Sequence, residues 1–316
     1  MTRLFIVLIL LGAVGYLAVI GFDGNRNQVS DKSDQAGKDL DFEIDNNYPK
    51  IVAVGDIACN DTKATATCFQ SETANLAKSL NPDAVLVLGD LQYEEGELTN
   101  FQKYYDSTWG ELKSITRPAV GNHEYGRTEN APGYFDYFNG VGILDGPAGK
   151  RGEGYYSFDQ GNWHIVAINS NCQFINCSKG SKQLLWLQDD LAKTEKSCIL
   201  AYWHSPRFSS GLHGDDLEME AIWQTLAQYG ADLVLSGHDH HYERFAKQNG
   251  IRQFIAGTGG RSLYQIKELE PNSEIVNALT YGVLELTLKE NSYDFRFLPV
   301  EGQTFKDSGS ANCNTK

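Results

Sequence analysis

Apolar positions in this sequence gather into short uninterrupted runs: IVAV at 51–54, AVLVL at 84–88, CILAY at 198–202 and LVL at 233–235. Runs of this length, ended by glycine or polar residues, read as strands buried on both faces. The first is taken as 51–55. YYSFD at 155–159 and WHIVAIN at 163–169 are joined by Gln160-Gly161-Asn162 in hairpin style. Further strands are expected over 242–246, 251–256, 281–288 and 293–298.

Elsewhere the period lengthens to that of a helix. Ser71 to Leu80 is predicted helical and stops before Asn81-Pro82; Leu98 to Thr108 carries Phe101, Tyr104 and Tyr105 on one packing face. Lys182 to Lys193 places Leu184, Leu187 and Leu191 together. Asp215 to Tyr229 begins with Asp215 and Glu218 at capping-box spacing and is expected to bury Ile222, Trp223 and Leu226. The text from Glu124 to Gly154 is rich in Gly, Asn, Tyr and Pro around the helix-like PGYFDYFN, and reads as a long substrate-facing loop. Strands and helices alternate in the first and middle parts and hairpins dominate elsewhere, so the expected fold is an α/β (α+β) chain, a mixed β-sandwich with helices on its outer faces.

The ends differ from this body. Leu4 to Phe22 is uncharged and mainly apolar behind Arg3, which suits a membrane anchor with Arg3 on the cytoplasmic side, or a cleaved signal peptide. No clear small-x-small site is visible, which favours the uncleaved anchor. Either reading of 1–22 exports the rest: an acidic, flexible linker at 23–49, a catalytic domain at 50–300 and a tail at 301–316.

With 316 residues and 41% apolar content, one large core is within reach. The formal charge of −14 would repel nucleic acid over the whole surface. An anionic substrate would have to be attracted locally, and metal ions can do that on an acidic chain. Six cysteines in an exported chain suggest disulfides. Cys59 and Cys68 bracket one loop, Cys172 and Cys177 another, and Cys198 with Cys313 follows by elimination. A thiolate metal site would call for CxxC spacing, which does not occur.

The chemistry lies where the strands end. After the apolar runs come Asp56, Gly89-Asp90 with Tyr93 three residues on, Gly121-Asn122-His123-Glu124, His204, and Gly237-His238-Asp239-His240. Open α/β sheets place their reacting groups at such carboxyl ends. Each residue alone could be a turn former, a cap or a packed side chain. Together, Asp56, Asp90, Tyr93, Asn122, His204, His238 and His240 form an oxygen and imidazole donor set suited to Zn, Mn or Fe, and a phenolate suits ferric iron. Seven donors exceed what one ion with an open position can take; two ions sharing a carboxylate can use them. GTGG at 257–260 lacks the lysine and helix of a phosphate loop and reads as a tight turn near the site.

These five ordered blocks resemble the calcineurin-like metallophosphoesterase superfamily, and Tyr93 makes the chain most similar to purple acid phosphatases. The resemblance spans roughly 50–300; Ala58 stands where the family often has glycine, which touches loop geometry and not a ligand. It implies a four-layer fold with two mixed β-sheets flanked by helices. It also implies one ion held by Asp56, Asp90, Tyr93 and His240, and a second by Asp90, Asn122, His204 and His238. Fe(III) with Fe(II), Zn or Mn would then hydrolyse a small phosphorylated substrate, a phosphate monoester, through a metal-bound hydroxide. His123 would face the phosphate beside Asn122. His213, on the Ser/Gly-rich loop after His204, is the expected general acid, with Asp215 or Asp216 holding its imidazolium form. Arg207 is a candidate phosphate clamp through its planar fork. A phosphodiesterase or nucleotidase on the same ions is the alternative, and a non-catalytic surface protein that binds metal or phosphate is the third reading.

Overall fold

The computed structural model describes residues 47–60 and 68–315. The expected anchor or signal at 1–22 and nearly all of the linker lie outside the described residues. Among the described residues, no helix is long and apolar enough to cross a membrane.

Two mixed sheets pack face to face. The first runs in the spatial order β13 (Asp307–Asn312), β12 (Ser292–Pro299), β11 (Gly282–Leu288), β1 (Lys50–Val54), β2 (Ala84–Leu88), β3 (Thr116–Ala119). The second runs β10 (Ser273–Asn277), β8 (Tyr242–Phe245), β9 (Arg252–Ala256), β7 (Leu233–Ser236), β6 (Cys198–Tyr202), β5 (Trp163–Ala167), β4 (Tyr156–Gln160). The strands β1, β2 and β3 are parallel, as are β5, β6, β7 and β9, while the outer strands are antiparallel.

The continuous apolar runs follow from this layering. In β2, Leu86 and Leu88 face the core between the sheets, where Leu200, Leu235, Leu284 and Phe297 also lie. Val85 and Val87 point the other way, against Ala74 and Ala77 of the helix Gln70–Ser79 and against Phe101 and Tyr105. On the far side, Leu184, Leu187 and Leu191 of the helix Lys182–Lys193 and Ile222, Trp223 and Leu226 of the helix Glu220–Gln228 cover Val166, Ile199 and Val234. A strand buried on both faces has no polar alternation to show. The result is the expected four-layer arrangement of helices, sheet, sheet, helices.

Several expectations need correction. The segment 124–154 is not loop throughout: Tyr134, Phe135, Tyr137 and Phe138 of the helix Pro132–Phe138 are buried in one cluster with Phe101 and Tyr105, while 126–130 and 141–147 are exposed. An aromatic-rich, turn-rich text looks like a loop, but its rings supply the outer core. The run from Leu98 passes through a π-helical turn at Phe101–Tyr105, and Tyr104 stays half-buried beneath Lys103. Asp216, not Asp215, caps the next helical turn, accepting from Glu218 N–H at 2.9 Å, and Glu220–Gln228 follows a 3₁₀ turn at Leu217–Met219. The tail is not a tail. Its residues Asp307–Asn312 pair with β12 as an edge strand, which backbone hydrogen bonds allow for a sequence, DSGSAN, of low strand propensity. β10 is likewise an edge strand that its polar sequence hides.

All six cysteines are paired, Cys59–Cys68, Cys172–Cys177 and Cys198–Cys313, with Cα separations of 6.2, 5.2 and 5.7 Å. The last joins the start of β6 to the residue after β13, so it staples one sheet to the other.

Candidate metal centre

Parallel strands bring their carboxyl ends to one rim. β1 delivers Asp56, β2 Asp90 and β3 Asn122, while β6 and β7 of the facing sheet deliver His204 and His238. Asp56, Asp90 and His238 sit in the left-handed region, with φ of 62°, 48° and 69°. For residues with a Cβ this costs on the order of 1 kcal/mol each or more, a kind of strain that clusters at functional sites. Two glycines make room. Gly89 has φ of 83°, and a Cβ there would lie 2.5 Å from His204 Nδ1. A Cβ on Gly121 would lie 2.2 Å from Asp90 Oδ1. Gly257 of the GTGG turn packs against Asp56 and Asp239, as a tight turn beside the site would.

The seven expected donors are brought together, and their geometry divides into two sets. In one, Tyr93 Oη lies 2.7 Å from Asp56 Oδ1, 3.0 Å from Asp90 Oδ2 and 2.9 Å from His240 Nε2. In the other, His204 Nε2 lies 3.1 Å from Asp90 Oδ2, 3.0 Å from Asn122 Oδ1 and 3.1 Å from His238 Nδ1. Asp90 Oδ2 belongs to both.

Protons satisfy this arrangement only in part. His240 Nδ1 lies 2.7 Å from the Ser262 carbonyl and His204 Nδ1 lies 2.8 Å from the Leu88 carbonyl, so each Nδ1 carries its ring's proton. When the rings are neutral, as metal binding requires, both Nε2 atoms present lone pairs to the cluster. Tyr93 has one proton for three acceptors. Lone pairs therefore converge from two sides on Asp90, a donor chemistry that fits two cations. With protein groups alone the balance falls on His204. Burial pushes its pKa down, but Asp90 and, at longer range, Asp56 prevail and take it up to about 10. His238 is pushed down to about 4 by burial and by His204. The Tyr93 phenol is raised well above its ordinary value by burial and then by Asp56 and Asp90, so only a strong Lewis acid would make it a phenolate ligand.

Glu124 is the functional residue that sequence reasoning passed over. Its buried carboxylate accepts the N–H groups of Asp90, Leu91, Gln92 and Gly121 at 2.9, 2.8, 3.2 and 2.8 Å. It therefore fixes the backbone that carries Asp90 to the backbone that leads into Asn122. Burial and the charge of Asp90 raise its pKa to about 7. Its place in GNHE was visible; its reach across 34 residues was not.

His123 donates its backbone N–H to Asp90 Oδ1 at 2.9 Å, its Nδ1 lies 2.6 Å from the Glu94 carbonyl, and Nε2 lies 3.9 Å from Asp90 Oδ2. His213 is exposed and its ring sits 4.3 Å from that of His238. What holds its loop is Asp239, which accepts Ser209 Oγ at 2.5 Å and the His213 N–H at 3.0 Å. The expected imidazolium partners are employed otherwise. Asp215 accepts from Ser209 N–H at 3.0 Å and pairs with Arg207, and Asp216 caps the 3₁₀ turn. The Arg207 fork is engaged with Glu220 at 2.7 Å and Asp215 at 3.5 Å, so the expected phosphate clamp is bound up with carboxylates. The arginine beside the cluster is Arg261, over the Tyr93 ring at 5.1 Å and paired to Glu94 at 2.6 Å. Tyr264 stacks on His240 with centroids 3.9 Å apart and planes 10° apart. Neither was singled out from sequence, where a lone Arg and Tyr after GTGG carry no pattern.

The family described as Calcineurin-like phosphoesterase matches residues 49–242, and the chain belongs to that family. Within it the chain is purple acid phosphatase-like. It is 29% identical over 229 residues to purple acid phosphatase 15 of Arabidopsis thaliana, covering 62% of this chain and 41% of that one. It is 25% identical over 225 residues to mouse (Mus musculus) acid phosphatase type 7, covering 62% and 47%. Among solved structures it resembles purple acid phosphatase PPD1 from yellow lupin (Lupinus luteus) seeds, with a TM-score of 0.65 and 20% identity, covering 84% of this chain and 53% of that one. The chain thus spans less than half the length of these curated relatives. Membership of the family implies a dinuclear metal centre.

Proposed function

We propose that this chain is an exported, acid phosphatase-like hydrolase of phosphate monoesters that works with two metal ions. The observation that carries the reading is Asp90 Oδ2, 3.0 Å from Tyr93 Oη and 3.1 Å from His204 Nε2, which joins two donor sets through one oxygen. Asp56, Asp90, Tyr93 and His240 would hold one ion, and Asp90, Asn122, His204 and His238 the other. The Tyr93 phenol favours Fe(III) in the first position, with Fe(II), Zn or Mn in the second. When bound, the ions supply Lewis acidity that polarises a phosphoryl group and lowers the pKa of water at the site.

The chain's own residues supply the remaining steps. Asn122 and His123 orient the phosphate at the rim, His123 being fixed by its bonds to Asp90 and Glu94. His213, held over His238 by the Asp239-anchored loop, gives a proton to the departing alkoxide, which leaves poorly without one. Three disulfides support export, since such bonds persist in oxidising compartments.

The alternative on the same ions is a phosphodiesterase or nucleotidase. A relative 24% identical over 301 residues, covering 81% of this chain and 48% of that one, bears the name probable inactive purple acid phosphatase 1. It is the reason to keep a non-catalytic reading in the test. Purified, metal-loaded protein should turn over a phosphate monoester faster than a diester with the same leaving group. Faster diester turnover would favour the phosphodiesterase, and no turnover of either would favour the binding protein.

A further inference from the structure

The loop after β9 is sewn to the strand ends at several points. Gly259 N–H donates to the Gly55 carbonyl at 2.9 Å, Arg261 N–H to the Asp56 carbonyl at 3.0 Å and Tyr264 N–H to the His240 carbonyl at 3.0 Å. Ser262 accepts the proton of His240 Nδ1 at 2.7 Å. Tyr264 is therefore fixed at its backbone and by its ring, which lies flat on His240 at 3.9 Å. From another loop, His213 meets the same ring edge-on at 5.7 Å while covering His238 at 4.3 Å. Tyr264 thus stands beside the cluster, in ring contact with the donor His240 and with His213, which itself covers His238.

Its hydroxyl is unaccounted for. The side chain is only half-buried, and among the described residues the phenol makes no hydrogen bond. The ring contacts with His240 and His213 keep that phenol beside the cluster. A phenylalanine would stack on His240 as well, so the hydroxyl contributes nothing that the fold uses. A positioned O–H donor with no protein partner, beside a site that draws anions, has a natural acceptor in a phosphoryl oxygen.

We propose that Tyr264 contacts the substrate, its phenol donating a hydrogen bond to an oxygen of the bound phosphate group. The inference rests on the phosphoester reading of the site, and it adds a specificity residue that distinguishes a phosphate from a ligand without oxygens at that position. A hydrogen bond to a charged acceptor implies a loss of about 10- to 100-fold in binding when the donor is removed.

The test compares wild type, Tyr264→Phe and Tyr264→Ala, each loaded with metal. Metal content, binding of inorganic phosphate by calorimetry, and kcat and KM for a phosphate monoester are measured. Tyr264→Phe should keep the metal content and the denaturation midpoint and bind phosphate about tenfold or more weakly. Tyr264→Ala should lose phosphate binding to at least the same degree and, lacking the ring on His240, also retain metal less well. Wild-type phosphate affinity in Tyr264→Phe would overturn the proposal, as would loss of metal in that variant, since the hydroxyl would then be structural. If no monoester is hydrolysed but Tyr264→Phe still weakens phosphate binding, the catalytic reading fails and this contact stands. If wild type is an active monoesterase and Tyr264→Phe matches it, the contact alone fails.

Discussion

Glu124→Ala removes one carboxylate and strands four backbone donors, those of Asp90, Leu91, Gln92 and Gly121. The site is dry: Glu124 is 2% exposed and Asp90 1%. An unmet buried donor costs about 1–3 kcal/mol, so a literal sum for four would exceed what single substitutions usually show. Water entering the space left by the side chain, and local relaxation, would recover part of it. A net loss of about 4 kcal/mol is expected. Glu124→Gln fills the space but replaces one acceptor oxygen by an N–H₂ that faces N–H groups, so about 2 kcal/mol should go. The assay is equilibrium denaturation of wild type and both variants, with and without chelator, together with metal content per chain. Because Glu124 positions Asp90 and Asn122, both variants should also hold metal less tightly. A loss below about 1 kcal/mol in Glu124→Ala, with metal content unchanged, would refute the idea that this carboxylate fixes the two ligand-bearing segments.

Three further outcomes follow from particular contacts. His164 bonds Asp159 and Asp190 at 2.8 Å each, and these bonds outweigh the downward pull of burial, so its pKa is raised. A raised histidine stabilises the fold fully below the unfolded value of about 6.5, and that stabilisation is lost as pH rises through the folded value; the stability difference between wild type and His164→Gln should shrink from pH 6 upward, and a pH-independent difference would contradict it. Cys198–Cys313 closes a separation of 115 residues, so Cys313→Ala should cost about 4–5 kcal/mol against the oxidised protein, and free thiols at 198 and 313 in peptide mass mapping would refute the bridge. His213→Ala should slow alkyl phosphates far more than nitrophenyl phosphate, whose leaving group hardly needs a proton, and equal losses would remove His213 from the proton transfer.

What could be read ahead of the structure was set by local pattern. AVLVLGD announces a doubly buried strand and a turn in seven residues, and repetition of that construction pointed to one rim and to the donors gathered there. The helix Lys182–Lys193 was legible because Leu184, Leu187 and Leu191 repeat at helical spacing; the structure adds the Ser181 side chain that caps it. The edge strands β10 and β13 were not, because their pairing is carried by backbone atoms under polar side chains. Arg207 illustrates the limit of motif proximity: three residues from His204 it looked like a phosphate ligand, but Glu220, on the next helix, holds it. Glu124 and Tyr264 act through contacts that only the folded chain creates.

The central claim is that two ions share Asp90, and elemental analysis of wild type and Asp90→Asn tests it most directly. Wild type should carry two ions per chain, in keeping with the dinuclear reading, and hydrolyse a phosphate monoester. Asp90→Asn should lose both ions, since its oxygen belongs to both donor sets, and should fall inactive while remaining folded by circular dichroism. A folded Asp90→Asn protein that still carries two ions would contradict the account.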